Sequence, residues 1–316
     1  MVNIVTKIFT SALKNRLIQW IDHAGVLPDE QAVLLANTTF DLKKKLTVLR
    51  DYCSINSLSV NLEKTKCVHF RRGGPRERTN LLYGDNPVDW SEEYVYLGVS
   101  FMGLSLGLTA ARAAAQRART ASGAAISALA SICTESWEGT LRIYDSIVAT
   151  TLLYASHIWG LCYLDILEQS QLQFFKRLLL HPLGTPSAEL KHELAMSNVK
   201  VRVLRATLKW IRKLLDMRDH RIPKICFYRL LQLSKNPRSD PKYNWVTQLR
   251  LILDSFNAPI SIWSNLTSAY WRSQIPSITK LYSAHLRLSD LDIIDPKHLV
   301  KYRFPDFWAL ALPTTL

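Results

Sequence analysis

The feature that most restricts how this chain can fold is a change of apolar period near Gly107. Before it, helical patterns are interrupted by short runs in which apolar and polar residues alternate, as in strands with one buried face. After it, apolar residues recur at spacings of three and four, and the strand-like runs stop. Sheet confined to the front and helices filling the rear define an α+β fold, with the two kinds of structure segregated along the chain.

In the front, residues 7–24 place Ile8, Leu13, Leu17, Trp20 and Ile21 near helical spacing, and Gly25 can end that helix. Residues 41–56 predict a second helix, with Leu42, Leu46, Leu49 and Cys53 on one face and Lys43, Lys44 and Lys45 toward water. Short strands are predicted over 58–61 and 66–70, flanking a turn at Glu63 and Lys64, and another over 94–99. Arg71-Arg72-Gly73-Gly74-Pro75 reads as a basic loop. In the rear, 110–131 is alanine-rich, the composition of a helix packed closely on its neighbours. Helices over 141–158, 164–180, 187–195, 201–217 and 223–233 follow, broken by Pro182-Leu183-Gly184, Asn198 and Pro223. The run Asn236-Pro237-Arg238-Ser239-Asp240-Pro241 is the linker candidate. Beyond it lie amphipathic stretches bearing Trp and Tyr, with no internal repeat.

A chain of 316 residues suits one large domain or two ordinary ones, and 48% hydrophobic against 21% charged residues excludes disorder as the dominant state. The unusual quantity is the charge: 40 Lys and Arg against 26 Asp and Glu give +14. An excess of that size points to a polyanion, either nucleic acid or an acidic membrane surface. The five cysteines are scattered, with no C-x-x-C pair, so the expectation is reduced, mostly buried thiols in an intracellular protein, nuclear or cytoplasmic. Cys67 and His69 offer only two ligands and read as packing, so no metal site is expected. The N-terminus lacks a small-residue cleavage site, and no signal peptide is expected. Residues 146–164 carry no formal charge over nearly the length of a membrane span. They include Ser146, Thr150, Thr151, Ser156, His157 and Gly160, which suits a buried helix better than a lipid-facing one; no membrane partner is expected.

Four stretches, read in order, carry a resemblance. Lys7-Ile8, Leu13, Arg16-Leu17, Trp20, Leu27 and Gln31-Ala32 form the first. Val33-Leu34-Leu35-Ala36, Leu58, Val60-Asn61 and Lys64-Thr65-Lys66 form the second, and Tyr96-Leu97-Gly98-Val99 the third. The fourth is Tyr154, Ile158-Trp159-Gly160, Phe175, Arg177, Leu179-Leu180 and Glu193-Leu194. Together they resemble the reverse transcriptase of LINE-type non-LTR retrotransposons over about residues 4–235. The resemblance implies a fingers-like helical segment over 1–32 and a partial palm with a small antiparallel sheet over 33–106. It further implies a helical, thumb-like region over 107–235, leaving 236–316 as a C-terminal helical region of unknown role. Tyr96 to Val99 would be the primer-grip strand.

The departure from the family matters more than the match. Gln31-Ala32 runs directly into Val33-Leu34-Leu35-Ala36, whereas the family places the rest of the fingers, the first catalytic aspartate and the Asp-Asp turn between these segments. Polymerisation needs carboxylates from two palm strands converging on two Mg²⁺ ions. Glu30 and Gln31, or Asp29 and Glu30, would fall at the Asp-Asp position, Pro28 suits the preceding strand badly, and the first-strand aspartate has no counterpart. The expectation is a catalytically dead member of the RNA-directed DNA polymerase family, with no catalytic residues and no cofactor, Mg²⁺ belonging only to intact members. If the Ala32 to Val33 junction is an artefact of how the gene was read, the intact product would be an active enzyme.

What the resemblance leaves is binding. Lys64 would lie near the incoming triphosphate in an intact enzyme, a role left idle here without the metal ions; otherwise Lys64 and Lys66 belong to a solvated turn. Arg71 and Arg72 follow a strand and are placed to meet phosphate, or simply to line a solvated loop. Over 201–235 there are ten Lys and Arg against Asp216 and Asp219, a net +8. In the helix over 201–217, Val201, Leu204, Leu208, Ile211 and Leu215 form an apolar stripe, and Arg202, Arg205, Lys209, Arg212 and Lys213 occupy another face. Such a face tracks an RNA or DNA backbone without reading sequence, or is an ordinary exposed helix surface in a protein-interaction module. Asp145, Ser146 and His157 share one predicted helix and do not suggest a hydrolase triad. Gly103-Leu104-Ser105-Leu106-Gly107 satisfies a bare G-x-S-x-G pattern but reads as a loop. Trp245, Trp263, Trp271 and Trp308 read as core.

Overall fold

The computed structural model describes residues 34–71, 73–75, 79–105, 107–132, 136–194, 196, 198–236, 238–258 and 263–294. The expected helix over 7–24, the acidic positions Asp29 and Glu30, the Ala32 to Val33 junction, Arg72, Cys133 and Trp308 lie outside the described residues. The rest form a mainly helical α+β fold, with small mixed and antiparallel sheets toward the front followed by helices. The chain divides into two compact units, one drawn from residues up to 69 and from 75–91, the other from 70–74 and from 92 onward.

In the first unit, helix α1 (Thr39–Ile55) starts where Thr38 Oγ1 accepts from the Asp41 amide at 3.1 Å, and Asp41 pairs with Lys45 one turn on at 2.8 Å. Strands β1 (Lys66–Val68), β2 (Leu81–Tyr83) and β3 (Asn86–Ser91) form a sheet in the order β1-β3-β2. Leu46 from α1 meets Leu81 and Val88 in a small core, with Leu42, Cys67 and Trp90 packed around it. This sheet corrects the expectation of a purely antiparallel one, because β1 runs parallel to β3, pairing Lys66 with Asp89 and Val68 with Ser91. Pro87 is tolerated in the central strand because the parallel pairing begins only at Asp89, beyond its missing N–H. The strand expected over 58–61 is absent: the chain there is irregular and turns at 62–64, where Asn61 Oδ1 takes the Lys64 amide at 3.1 Å.

The second unit opens with a hairpin, β4 (Glu93–Tyr96) and β5 (Val99–Met102), where one strand was expected over 94–99. Leu97 and Gly98 both have positive φ, 46° and 76°, which makes them the two-residue turn that matches strand twist. Helix α2 (Leu108–Ile132) buries Ala110, Ala111, Ala114, Ala118, Ser122, Ala125 and Leu129, a small-residue face that lets its neighbours approach closely. Helix α3 (Trp137–Leu152) contains a π-helical stretch at Tyr144–Ala149, and α4 (Ser156–Trp159) follows a break at Ala155, whose φ is 53°. The continuous helix expected over 141–158 is therefore bent, by 51° between α3 and the segment beginning at Ser156. No single helix among the described residues is long and apolar enough to cross a membrane; that bent pair passes by length and composition, with Val148, Ala149 and Leu152 fully buried in protein.

Helices α5 (Leu164–Leu178), α6 (Ser187–Glu193), α7 (Val199–Asp216), α8 (Ile222–Leu233), α9 (Trp245–Ser255) and α10 (Ser268–Ile293) complete the unit. Its core runs from Val99 to Tyr282 and holds Tyr144, Phe174, Phe175, Phe227 and Trp271 as its largest fully buried rings. Trp245 and Trp263 pack against this core, as expected for the aromatic residues of the rear. Of the described cysteines, Cys53 is buried and Cys67 partly so, but Cys162 and Cys226 are exposed, which corrects the expectation of mostly buried thiols.

Candidate nucleic-acid interface

Helix α7 carries the basic face. Asn198 caps it, accepting the Lys200 amide at 2.8 Å, and Val203, Leu204, Thr207, Leu208, Ile211 and Leu214 are buried on its inner side against α10, α4 and α5. The five basic positions fall in an arc of about 100° opposite the core. They are not equivalent. Arg205, Lys209 and Lys213 are exposed, one per turn, with no acidic partner among the described residues. Arg202 is half-buried and donates to Asp145 at 2.6 Å. Arg212 is also half-buried, and its Nε has no hydrogen-bond partner among the described residues.

Trp210 sits beside this row, half-buried and packed on the core. The His157 ring, delivered by α4, lies 5.3 Å from it at 51°, and the Lys213 ammonium sits 5.7 Å from the indole centroid. Burial, and then the Lys213 charge, push the His157 imidazole below its ordinary value, so the ring is neutral at pH 7. In the sequence His157 draws notice only as a polar member of the uncharged stretch and as a rejected triad member, and Trp210 draws none. Trp210 shares the edge of the apolar stripe, and nothing in the sequence alone marks His157 as its neighbour.

The remaining predicted contacts are more constrained. Lys64 is exposed in its turn. Lys66 is bound to Asp89, its cross-strand partner, at 2.8 Å. The Arg71 guanidinium, largely out of solvent, pairs with the Glu92 carboxylate at 3.2 Å and donates from Nε to the Gly74 carbonyl, so it holds its loop in place. Lys64 and Lys66 belong to the first unit, Arg71 and the helix positions to the second.

Elsewhere the basic residues of 201–235 do structural tasks as well. Lys224 is buried and donates to the Leu215 and Met217 carbonyls at 3.2 and 2.7 Å, closing the C-terminus of α7. Arg218, Arg221 and Arg229 are exposed. Asp145 and Ser146 lie on α3 and His157 on α4, not on one helix; they engage Arg202, the Ile143 carbonyl and Trp210 respectively and do not meet. Ser105 of the G-x-S-x-G run lies in the turn before α2 and shares a hydrogen bond with Thr109 at 2.8 Å. Among the described residues no three His, Cys, Asp or Glu side chains converge to hold a metal ion. No protein-family model, curated protein or solved structure matches this chain.

Proposed function

We propose that this chain is a catalytically inactive relative of the LINE-type reverse transcriptases that retains sequence-independent binding to the backbone of RNA or DNA. In this reading the mixed-sheet unit is the remnant of a palm, and α7 is a thumb-like helix that meets the phosphates. The observation that carries it is the exposed row Arg205, Lys209 and Lys213, without an acidic partner among the described residues, on a helix whose opposite face is fixed in the core. Cations anchored on a rigid element, with no carboxylate to neutralise them, release counterions when they meet phosphate, and that release drives non-specific binding. The absence of the paired palm aspartates from the sequence argues against polymerisation.

The test is binding of RNA and DNA of unrelated sequence at two salt concentrations. Affinity should fall steeply with salt. The double variant Arg205→Glu with Lys209→Glu should weaken binding and lower the salt slope by about two. An unchanged affinity and slope would remove α7 as the site, and primer extension with dNTPs and Mg²⁺ would overturn the inactive assignment.

A second reading, a helical protein-interaction module, draws on α8. Its Ile222, Ile225 and Leu233 are exposed, and Ile225 lines a shallow groove with Asp219, Tyr228, Arg229 and Gln232. That reading expects no strong salt-dependent affinity for nucleic acid.

A further inference from the structure

We infer that Trp210 and His157 form a stacking seat for an unpaired nucleobase at the edge of the basic row, so that the ligand of this face is single-stranded nucleic acid. The inference rests on the backbone-binding reading above and goes further, because it names the form of the polyanion.

At 100° per residue, Trp210 lies about 60° round the helix from Lys213, where the cationic arc gives way to the core. The indole is therefore next to the phosphate track and also fixed. Its inner side packs on the core, and the His157 ring holds it from α4 at 5.3 Å. A platform for a base must not swing away when the base arrives, and a ring anchored on two sides meets that condition.

The remaining contact is the Lys213 ammonium, 5.7 Å from the indole centroid on an exposed, flexible stem. A nucleobase offers a larger π-surface to the same ring. Once a base has taken that place, Lys213 is released toward the phosphate of the same nucleotide, in line with Lys209 and Arg205. One residue thus shields the seat when it is empty and holds the backbone when it is filled. His157, neutral because it is half-buried beside Lys213, adds a hydrogen-bonding edge without a second charge to desolvate.

Duplex nucleic acid offers phosphates to the row but keeps its bases paired and stacked, so it reaches the seat only after unstacking. Single strands engage both the row and the ring, the combination by which proteins hold them without reading sequence.

The experiment measures anisotropy of the full chain with labelled oligo-dT, oligo-U and a duplex of equal length at two salt concentrations. The single strands should bind several-fold more tightly than the duplex. Trp210→Ala should weaken single-strand binding roughly tenfold or more, leave duplex binding within about twofold and keep the salt slope, while Trp210→Phe retains most of the affinity. If Trp210→Ala unfolds the chain by circular dichroism, His157→Leu takes its place, with single-strand binding again expected to fall and duplex binding to hold. Equal losses on both ligands, or no loss on either, overturn the stacking seat. If the Arg205 and Lys209 reversals abolish binding while Trp210→Ala and His157→Leu change nothing, the basic-row reading stands and the seat falls. If neither ligand binds at all, both fall.

Discussion

Arg202 of α7 reaches across to Asp145 of α3 and binds its carboxylate at 2.6 Å. This ion pair divides a basic face that looks uniform in sequence into one structural arginine and an open row. Replacing Arg202 with Ala should lower nucleic-acid affinity less than Arg205→Ala or Lys209→Ala does. Asp145→Asn should raise affinity a few-fold at low salt by releasing Arg202 and removing a negative charge. Because the pair is partly exposed, either change should cost stability less than about 1 kcal/mol. Affinity and urea midpoints measured on the same four variants check both statements.

Glu168 organises the other end of α7. Its carboxylate takes Lys191 at 3.1 Å, Lys200 at 3.1 Å and the Asn198 amide at 3.2 Å, and Lys191 also binds Asp290 of α10. All of these groups lie at least half out of solvent except Asp165, the second partner of Lys200. Glu168→Gln should destabilise the second unit by about 3 kcal/mol, the lower end for breaking a buried pair, since Asp290 and Asp165 still hold the two lysines. Chemical denaturation followed by far-UV circular dichroism measures it; a loss under 1 kcal/mol would mean the network is largely solvated.

The β4–β5 turn stores strain at Leu97, a β-hairpin position better suited to Asn. Its carbonyl accepts from the Tyr154 hydroxyl at 3.0 Å, a backbone contact that a substitution leaves intact. Leu97→Asn should therefore stabilise the chain by about 1 kcal/mol. Gly98→Ala should destabilise it by a similar amount, because an added Cβ would be held at φ 76° and would touch the Tyr154 ring at 3.4 Å. Thermal unfolding of the two variants should move the midpoint in opposite directions.

His157 gives the fold a pH dependence of definite sign. Its folded-state value is pushed below the ordinary 6.5 by burial and by Lys213, so near and below pH 6.5 the unfolded chain binds a proton that the folded chain refuses. Stability should be fully present above about pH 7 and fall as the pH drops through the mid-sixes toward the depressed folded value. Urea midpoints at pH 7.5 and pH 5.5 should differ less in His157→Gln than in the natural chain. An equal difference would mean that other groups dominate the acid limb.

How far the sequence reaches is clearest in α7. The apolar stripe read as Val201, Leu204, Leu208, Ile211 and Leu215 is buried at its three central members, but Val201 and Leu215 sit at the margin. Val199, Val203, Thr207 and Leu214 take the inner positions. Periodicity finds a face; the neighbours α10 and α5 decide where its edges run. Thr207 looks polar in sequence yet is fully buried, because its hydroxyl donates to the Val203 carbonyl at 3.1 Å.

The front was less legible because its turns lack their usual markers. Leu97 in a left-handed conformation hides a hairpin inside what reads as one strand. The β2–β3 hairpin, turning at Gly84 and Asp85, is missing from the sequence reading altogether, since Pro87 interrupts the strand pattern just after the turn. Parallel pairing of β1 with β3 leaves no local trace, because it joins segments more than twenty residues apart.

The sequence by itself determined the end of the strands near Gly107, most of the helical positions between there and residue 233, and the concentration of positive charge over 201–235. Those properties depend on local period and on counting. Only the tertiary structure decided which charges are free. Lys66, Arg71, Arg202 and Lys224 are each engaged by a carboxylate or carbonyl from elsewhere in the chain, while Arg205 and Lys209 have no such partner among the described residues. Whether a cation faces solvent or a partner depends on which elements pack together, and α4 bringing His157 onto Trp210 is the same kind of fact.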